Sequence, residues 1–230
     1  MNRAEGPSLL LYAVNVAEPL DEDLQRQLTE LCSPRRREGL PRFHYQADAR
    51  RSLMGEMLLR VALQADWQES CQGRELEFAR SEHGKPYLQG IEGVHYNLSH
   101  SGSWCVCAVS TEPVGVDVEQ IKQQELAWVE SHLSDEENNE LRNAAETERL
   151  RRFFEIWTMK ESYVKAVGTG LALGFRTFSV IGEGVSRLAP YRLKRYELDE
   201  LHPVAVCAET ALFPNDIQIY TVDGIGRMLR

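Results

Sequence analysis

Apolar residues along the chain fall into short continuous runs and into longer stretches of helical spacing, and the two alternate. Leu9 to Val16 is nearly all apolar and predicts a strand. Asp21 offers an N-cap, with Leu24, Leu28 and Leu31 at helical spacing behind it. Ser33-Pro34-Arg35-Arg36-Arg37-Glu38 opens a short basic helical stretch. Phe43 to Gln64 predicts a long helix with Leu53, Met57, Leu58 and Val61 on one side. Leu76 to Phe78, His95 to Leu98 and Trp104 to Ser110 read as strands, with a turn at His83-Gly84-Lys85-Pro86.

From Glu112-Pro113 onward the order repeats. A strand is expected at Val114 to Glu119, a helix from Ser134, a long helix from about Arg149 to Val167, and strands at Phe178 to Ile181, Tyr191 to Leu198 and Val204 to Glu209. Arg42-Phe43 opening one long helix echoes Arg152-Phe153 opening the other, and Trp104 to Val109 echoes Val204 to Ala208 in the same relative place. The expectation is an α+β fold of two pseudo-symmetric α/β lobes, residues 1–112 and 113–230, forming one functional unit. Its site would lie in the cleft between them, where small-molecule sites are favoured.

Composition narrows the chemistry. No apolar run approaches the roughly 18 residues a membrane-spanning helix needs, and the N-terminus lacks a convincing cleavage signal, so a cytoplasmic protein is expected. The five cysteines make no zinc-site spacing; Cys105 and Cys107 lie two apart in an apolar run and read as core residues on one strand face. A net charge of -9 argues against nucleic acid or an anionic membrane as partner, both of which require a basic footprint. An anionic ligand must then meet a local cluster of bases.

In Val114-Gly115-Val116-Asp117-Val118-Glu119 the alternation puts the three valines on one face and Gly115, Asp117 and Glu119 on the other. The two carboxylates stand about 6 to 7 Å apart along the strand, with a glycine next to them leaving room for a ligand. Taken alone they read as a solvated acidic edge. On the second long helix, Leu150, Phe153, Phe154, Trp157 and Val164 form an apolar stripe at about 100° per residue, and Glu161 falls inside it. A carboxylate there costs several kcal/mol unless a cation or strong donors meet it. An i,i+4 pair with Lys165 is one answer; a divalent cation shared with Asp117 and Glu119 is the other, and few, hard oxygen ligands suit Mg²⁺ rather than zinc. Lys160 and Lys165 flank Glu161 and suit phosphate oxygens. Tyr96-Asn97-Leu98-Ser99-His100-Ser101 adds hydroxyls and an imidazole, and Lys85 sits in the preceding turn. No nucleophile elbow surrounds Ser99, so hydrolase chemistry through Ser99 and His100 is not supported.

These segments carry a resemblance. Gly115-Val116-Asp117-Val118-Glu119 resembles the (V/I)G(V/I)D(V/I)E motif, and Trp157 through Lys165 the W-x-x-K-E-x-x-x-K motif, of the 4′-phosphopantetheinyl transferases. With Gly84-Lys85-Pro86 and Asn97-Leu98-Ser99-His100-Ser101 in order upstream, the chain looks like the longer, monomeric Sfp-type branch, which activates nonribosomal peptide and polyketide synthetases. The resemblance implies transfer of the phosphopantetheine arm of coenzyme A to a serine of an apo acyl, peptidyl or aryl carrier protein. It also implies Mg²⁺ on the pyrophosphate and 3′,5′-adenosine diphosphate as the leaving product. Carried over by motif, Asp117, Glu119 and Glu161 are metal ligands, and Lys160 and Lys165 hold phosphate oxygens, with Glu161 and Lys165 counted as catalytic. Lys85, Ser99 and His100, with Arg36 and Arg51, hold the 3′-phosphate and adenine side. Gly39 stands where relatives often carry a second base. Glu137 aligns with a glutamate proposed in some relatives to deprotonate the carrier serine, and Ser134 to Glu137 also spells a capping box. A Mg²⁺-dependent phosphatase or nucleotidyl transferase, or a noncatalytic coenzyme A-binding protein, would use the same groups.

Overall fold

The first apolar run becomes β1 (Leu9–Asn15), and the segments after it fold much as their periodicity requires. A computed structural model describes residues 9–71, 76–170, 173–209 and 212–230. Asp21 caps α1 (Glu22–Glu30) by accepting from Asp23 N and Leu24 N. Next come α2 (Pro34–Gly39), a 3₁₀ turn at Leu40–Arg42, α3 (Gln46–Asp66) and α4 (Gln68–Cys71). The hairpin β2 (Phe78–Arg80) and β3 (Pro86–Leu88) leads to β4 (His95–Ser101) and β5 (Trp104–Ser110). The second half holds β6 (Val114–Val118), α5 (Leu126–His132), α6 (Asp135–Asn143), α7 (Glu146–Val167), β7 (Arg192–Glu197) and β8 (Pro203–Ala208). It ends in β9 (Gln218–Tyr220) and α8 (Val222–Met228).

The strand order is β4-β5-β1-β9 in one sheet and β6-β8-β7 in the other. In each half the first strand pairs with the last of three, which pairs with the middle one, and a helix of 21 or 22 residues connects first to middle. The repeated sequence order thus becomes a repeated β-α-β-β topology. β9 departs from it by joining β1 in parallel, so the chain's last strand returns to the first sheet.

Alternation along the strands sorts the layers. One face of the first sheet (Tyr12, Val14, Cys105, Cys107, Val109) packs on Leu53, Met54, Met57 and Val61 of α3. Its other face (Leu11, Ala13, Val106, Ala108) packs on Val114, Val116, Val118, Val204 and Val206 of the second sheet. The far face of that sheet meets α7, where Phe153, Phe154, Ile156 and Met159 gather around Ala205. Burying each valine, leucine, isoleucine, methionine or phenylalanine among them contributes roughly 1.5–3 kcal/mol. The valines of β6 therefore point to the inter-sheet core and Gly115 and Asp117 to α7. Among the described residues no helix is long and apolar enough to cross a membrane.

One expected strand is absent: Phe178 to Ile181 is irregular and runs into a 3₁₀ segment at Gly182–Leu188. Its backbone groups are claimed by side chains instead. Val180 N donates to Glu137 Oε1 (2.9 Å), Ile181 N to Ser179 Oγ (3.3 Å), and Phe178 O accepts from Lys160 Nζ (2.7 Å). Those groups are then not free for a partner strand.

Candidate active site

β6 is the edge of its sheet, and an edge strand carries backbone groups with no ladder partner. Here side chains satisfy them. Val116 N donates to Asn97 Oδ1 (3.0 Å), Val118 N to Ser99 Oγ (3.4 Å) and Gln120 N to Ser101 Oγ (3.0 Å). Val114 O accepts from Lys85 Nζ (3.2 Å) and Val116 O from Lys165 Nζ (3.2 Å). The motif's strand is thereby held between β4 and the end of α7.

Gly115 explains how close the helix comes. A Cβ there would lie 2.0 Å from Ser162 O and 2.4 Å from Ala166 N, so only glycine lets the α7 backbone rest on the strand. The room it makes is for the helix, not for a ligand. This approach brings Lys165 to Asp117, with Nζ 2.6 Å from Oδ1. Ser99 Oγ donates to the same oxygen (2.8 Å), and Ser101 Oγ donates to Glu119 Oε2 (2.8 Å).

The carboxylates are under strain from their setting. Asp117 is 3% exposed, and its Oδ2 is buried without a hydrogen-bond partner among the described residues. Burial raises the Asp117 carboxyl above its ordinary range against the pull of Lys165; burial and then the charge of Asp117 raise Glu119. Glu161 is pushed up to about 7, first by burial and then by Asp117, with Glu119 adding to it. Burial raises all three acids, and the charge of Asp117 raises the other two further, so the cluster is short of positive charge. An orphaned buried carboxylate oxygen and an all-oxygen donor set fit a hard divalent cation. Among the described residues, no three such groups are already drawn together as a metal cage.

Lys85 is the mirror case. Burial lowers its ammonium to about 8, and its Nζ donates to two carbonyls, Val114 O and Ala166 O (2.8 Å). Carbonyl dipoles without a carboxylate leave a cation suited to an anion. His100 is exposed on β4; burial of part of the ring, then the charges of Arg51 and Lys165, lower its pKa. Arg51 donates to Gly102 O (2.8 Å) and pairs with Asp48. Ser99 and Lys165 meet at Asp117, Lys85 sits beside Val114 at the start of β6, and His100, on the opposite face of β4 from Ser99, feels the charge of Arg51.

Three expected site residues lie elsewhere. Lys160 was expected beside phosphate oxygens, yet it is 0% exposed, on the buried side of α7. Its Nζ meets Glu137 Oε2 (2.6 Å) and Oε1 (2.8 Å) and lies 4.3 Å from the Phe178 ring centroid. Glu137, also 0% exposed, accepts from Ser134 N (2.9 Å) as well as from Lys160 and Val180 N, and the capping box is complete. Sealed and saturated, that carboxylate faces no open space. Arg36 turns inward to Ser52 Oγ (2.6 Å) and Glu56 Oε2 (3.3 Å), on one wall of a pocket of about 640 Å³ that Arg35, Gly39, Phe78 and Arg80 also line. Sequence reasoning assigned no role to Asn97 and Ser101. The signal was present in the period-two polar face Asn97, Ser99, Ser101, which matches Gly115, Asp117, Glu119.

Comparison with known proteins gives the family. Residues 113–208 match the model of the 4′-phosphopantetheinyl transferase superfamily, and residues 18–112 match that of the 4′-phosphopantetheinyl transferase N-terminal region. The chain is 32% identical to the 4′-phosphopantetheinyl transferase Sfp of Bacillus subtilis (strain 168) over 221 residues, covering 93% of this chain and 98% of that one. It is 32% identical to the 4′-phosphopantetheinyl transferase psf-1 of Bacillus pumilus over 227 residues, 94% and 96% of the two chains. With the enzyme gsp of Aneurinibacillus migulanus it shares 33% over 165 residues, 72% and 68%. The chain belongs to the 4′-phosphopantetheinyl transferase superfamily, in its Sfp-type branch. It is a transferase, and its membership is consistent with coenzyme A as substrate and with divalent-cation dependence.

Proposed function

We propose that this enzyme uses Mg²⁺ and coenzyme A to load the phosphopantetheine arm onto a serine of apo acyl, peptidyl or aryl carrier proteins. Asp117, Glu119 and Glu161 would hold the ion. The observation that carries this reading is the orphaned Asp117 Oδ2 beside two further carboxylates of raised pKa. When bound, the cation supplies charge neutralisation at the pyrophosphate and a polarised phosphorus.

The chain's own groups do the rest. Lys165 and Lys85 meet phosphate oxygens, and Ser99, His100 and Arg51 hold the nucleotide end. The carrier serine Oγ bonds to the β-phosphorus, the bridging P–O bond breaks, and 3′,5′-adenosine diphosphate leaves. The serine proton passes to Glu161, a carboxylate of the same cluster. Glu137 and Lys160 serve as a buried tie between α6, α7 and residues 178–180. Arg36 shapes the wall of its pocket.

Residues 1–112 and 113–230 act as one unit, a reading supported by family matches that meet at that boundary. Every proposed group comes from one chain, in keeping with a monomer. Buried free thiols at Cys32, Cys105, Cys107 and Cys207 suit the reducing cytoplasm. Neither nucleic acid nor membrane is required. Mass spectrometry of an apo-carrier incubated with enzyme, Mg²⁺ and coenzyme A tests the proposal: a carrier heavier by one phosphopantetheine supports it, and an unchanged carrier refutes it.

A further inference from the structure

We infer that Ser101 is a positioning residue for Glu119, the last rung of a side-chain ladder by which β4 sets the register of the acidic strand. Among the described residues, β4 and β6 share no backbone ladder, and β6 pairs only with β8. Instead every second side chain of β4 meets every second N–H along the β6 edge: Asn97 to Val116, Ser99 to Val118, Ser101 to Gln120. Two rungs act twice. Ser99 accepts from Val118 N and donates to Asp117; Ser101 accepts from Gln120 N and donates to Glu119. A hydroxyl has one proton and two lone pairs, so each rung fixes a backbone N–H and the neighbouring carboxylate together.

The consequence differs along the ladder. Asp117 lies within β6 and is also held by Lys165, whereas Glu119 lies beyond the strand's last residue, Val118. Its backbone N–H reaches Pro203 O at 3.3 Å, and its carboxylate leans on Ser101. Ser101 itself is oriented by Gln120 N and carries no charge. It therefore aims one carboxylate without adding a ligand.

This rests on reading Asp117 and Glu119 as cation ligands, so the test separates the two ideas. Mn²⁺ binding in the presence of coenzyme A is measured by electron paramagnetic resonance for wild type, Asp117→Asn, Ser101→Ala and Ser101→Thr, with melting temperatures alongside. Ser101→Ala is expected to weaken Mn²⁺ binding about tenfold, the usual effect of removing a group that orients a ligand. Ser101→Thr keeps the hydroxyl and restores the binding, and the KM for coenzyme A at saturating Mn²⁺ stays unchanged. Wild-type Mn²⁺ affinity in Ser101→Ala, with binding lost in Asp117→Asn, would overturn the inference and leave the cation site standing. Equal loss in Ser101→Thr would also overturn it, because the hydroxyl is then not the cause. Wild-type affinity in Asp117→Asn would remove the cation reading and the inference with it.

Discussion

Lys165 Nζ lies 2.6 Å from Asp117 Oδ1, joining the last turns of α7 to the acidic strand of β6. One turn earlier the same helix carries Glu161, so a single helix delivers both a cation and an anion to one carboxylate. Lys165→Met leaves the buried Asp117 carboxylate without its ammonium partner. Removing one partner of a largely buried pair costs about 3 kcal/mol. Thermal or denaturant unfolding should show that loss, and holo-carrier formation should fall to near background.

Glu161→Gln keeps shape and removes charge. Turnover is expected to be nearly abolished with the fold intact, as judged by circular dichroism. Asp117→Asn should behave alike, and the double variant should lose little beyond either single one, because both residues would serve one ion. A structural Glu161–Lys165 pair instead implies near-normal turnover at saturating Mg²⁺.

The raised pKa of Glu161 has a sign. Its folded value of about 7 exceeds the ordinary 4.5, so the protonated form favours the folded state. The stability it contributes is complete below about pH 4.5 and is lost as pH rises through about 7. Above pH 7, metal-free Glu161→Gln should therefore melt higher than metal-free wild type. Transfer by the wild type should rise with pH across the same range, and raising free Mg²⁺ should move that limb to lower pH. A melting temperature for the variant that stays below wild type from pH 5 to 8 would argue that Glu161 is not desolvated.

Glu137 separates a base from a tie. Glu137→Gln leaves Lys160 as an unneutralised buried ammonium, with an expected stability loss of about 3 kcal/mol. At a temperature where the variant is folded, its transfer rate should stay within a few-fold of wild type. Unchanged stability with turnover reduced by orders of magnitude is the pattern of a catalytic base.

Much of this was legible in the sequence, for identifiable reasons. Period-two alternation placed the β6 valines and acids on opposite faces correctly, and helical spacing found α3 and α7 to within about three residues. What escaped depends on contacts between distant segments. Residues 178–181 have the composition of a strand, but Glu137 and Lys160 take their backbone groups. The helical wheel put Lys160 beside Glu161 without revealing that the Phe178 ring and Glu137 meet its ammonium. Gly115 looked like room for a ligand because a sequence does not say which helix will lie against it. Ser101 stood in a quoted motif, yet only the β6 edge gives it work.

The central claim is that a cation held by Asp117, Glu119 and Glu161 makes transfer possible. It is tested most directly by following apo-carrier mass with time for wild type and Glu161→Gln, with coenzyme A, in chelator and across a Mg²⁺ titration. The account expects wild type to load the carrier only as Mg²⁺ is restored and Glu161→Gln to remain near zero throughout. Loading by wild type in chelator, or wild-type rates in Glu161→Gln, would contradict it.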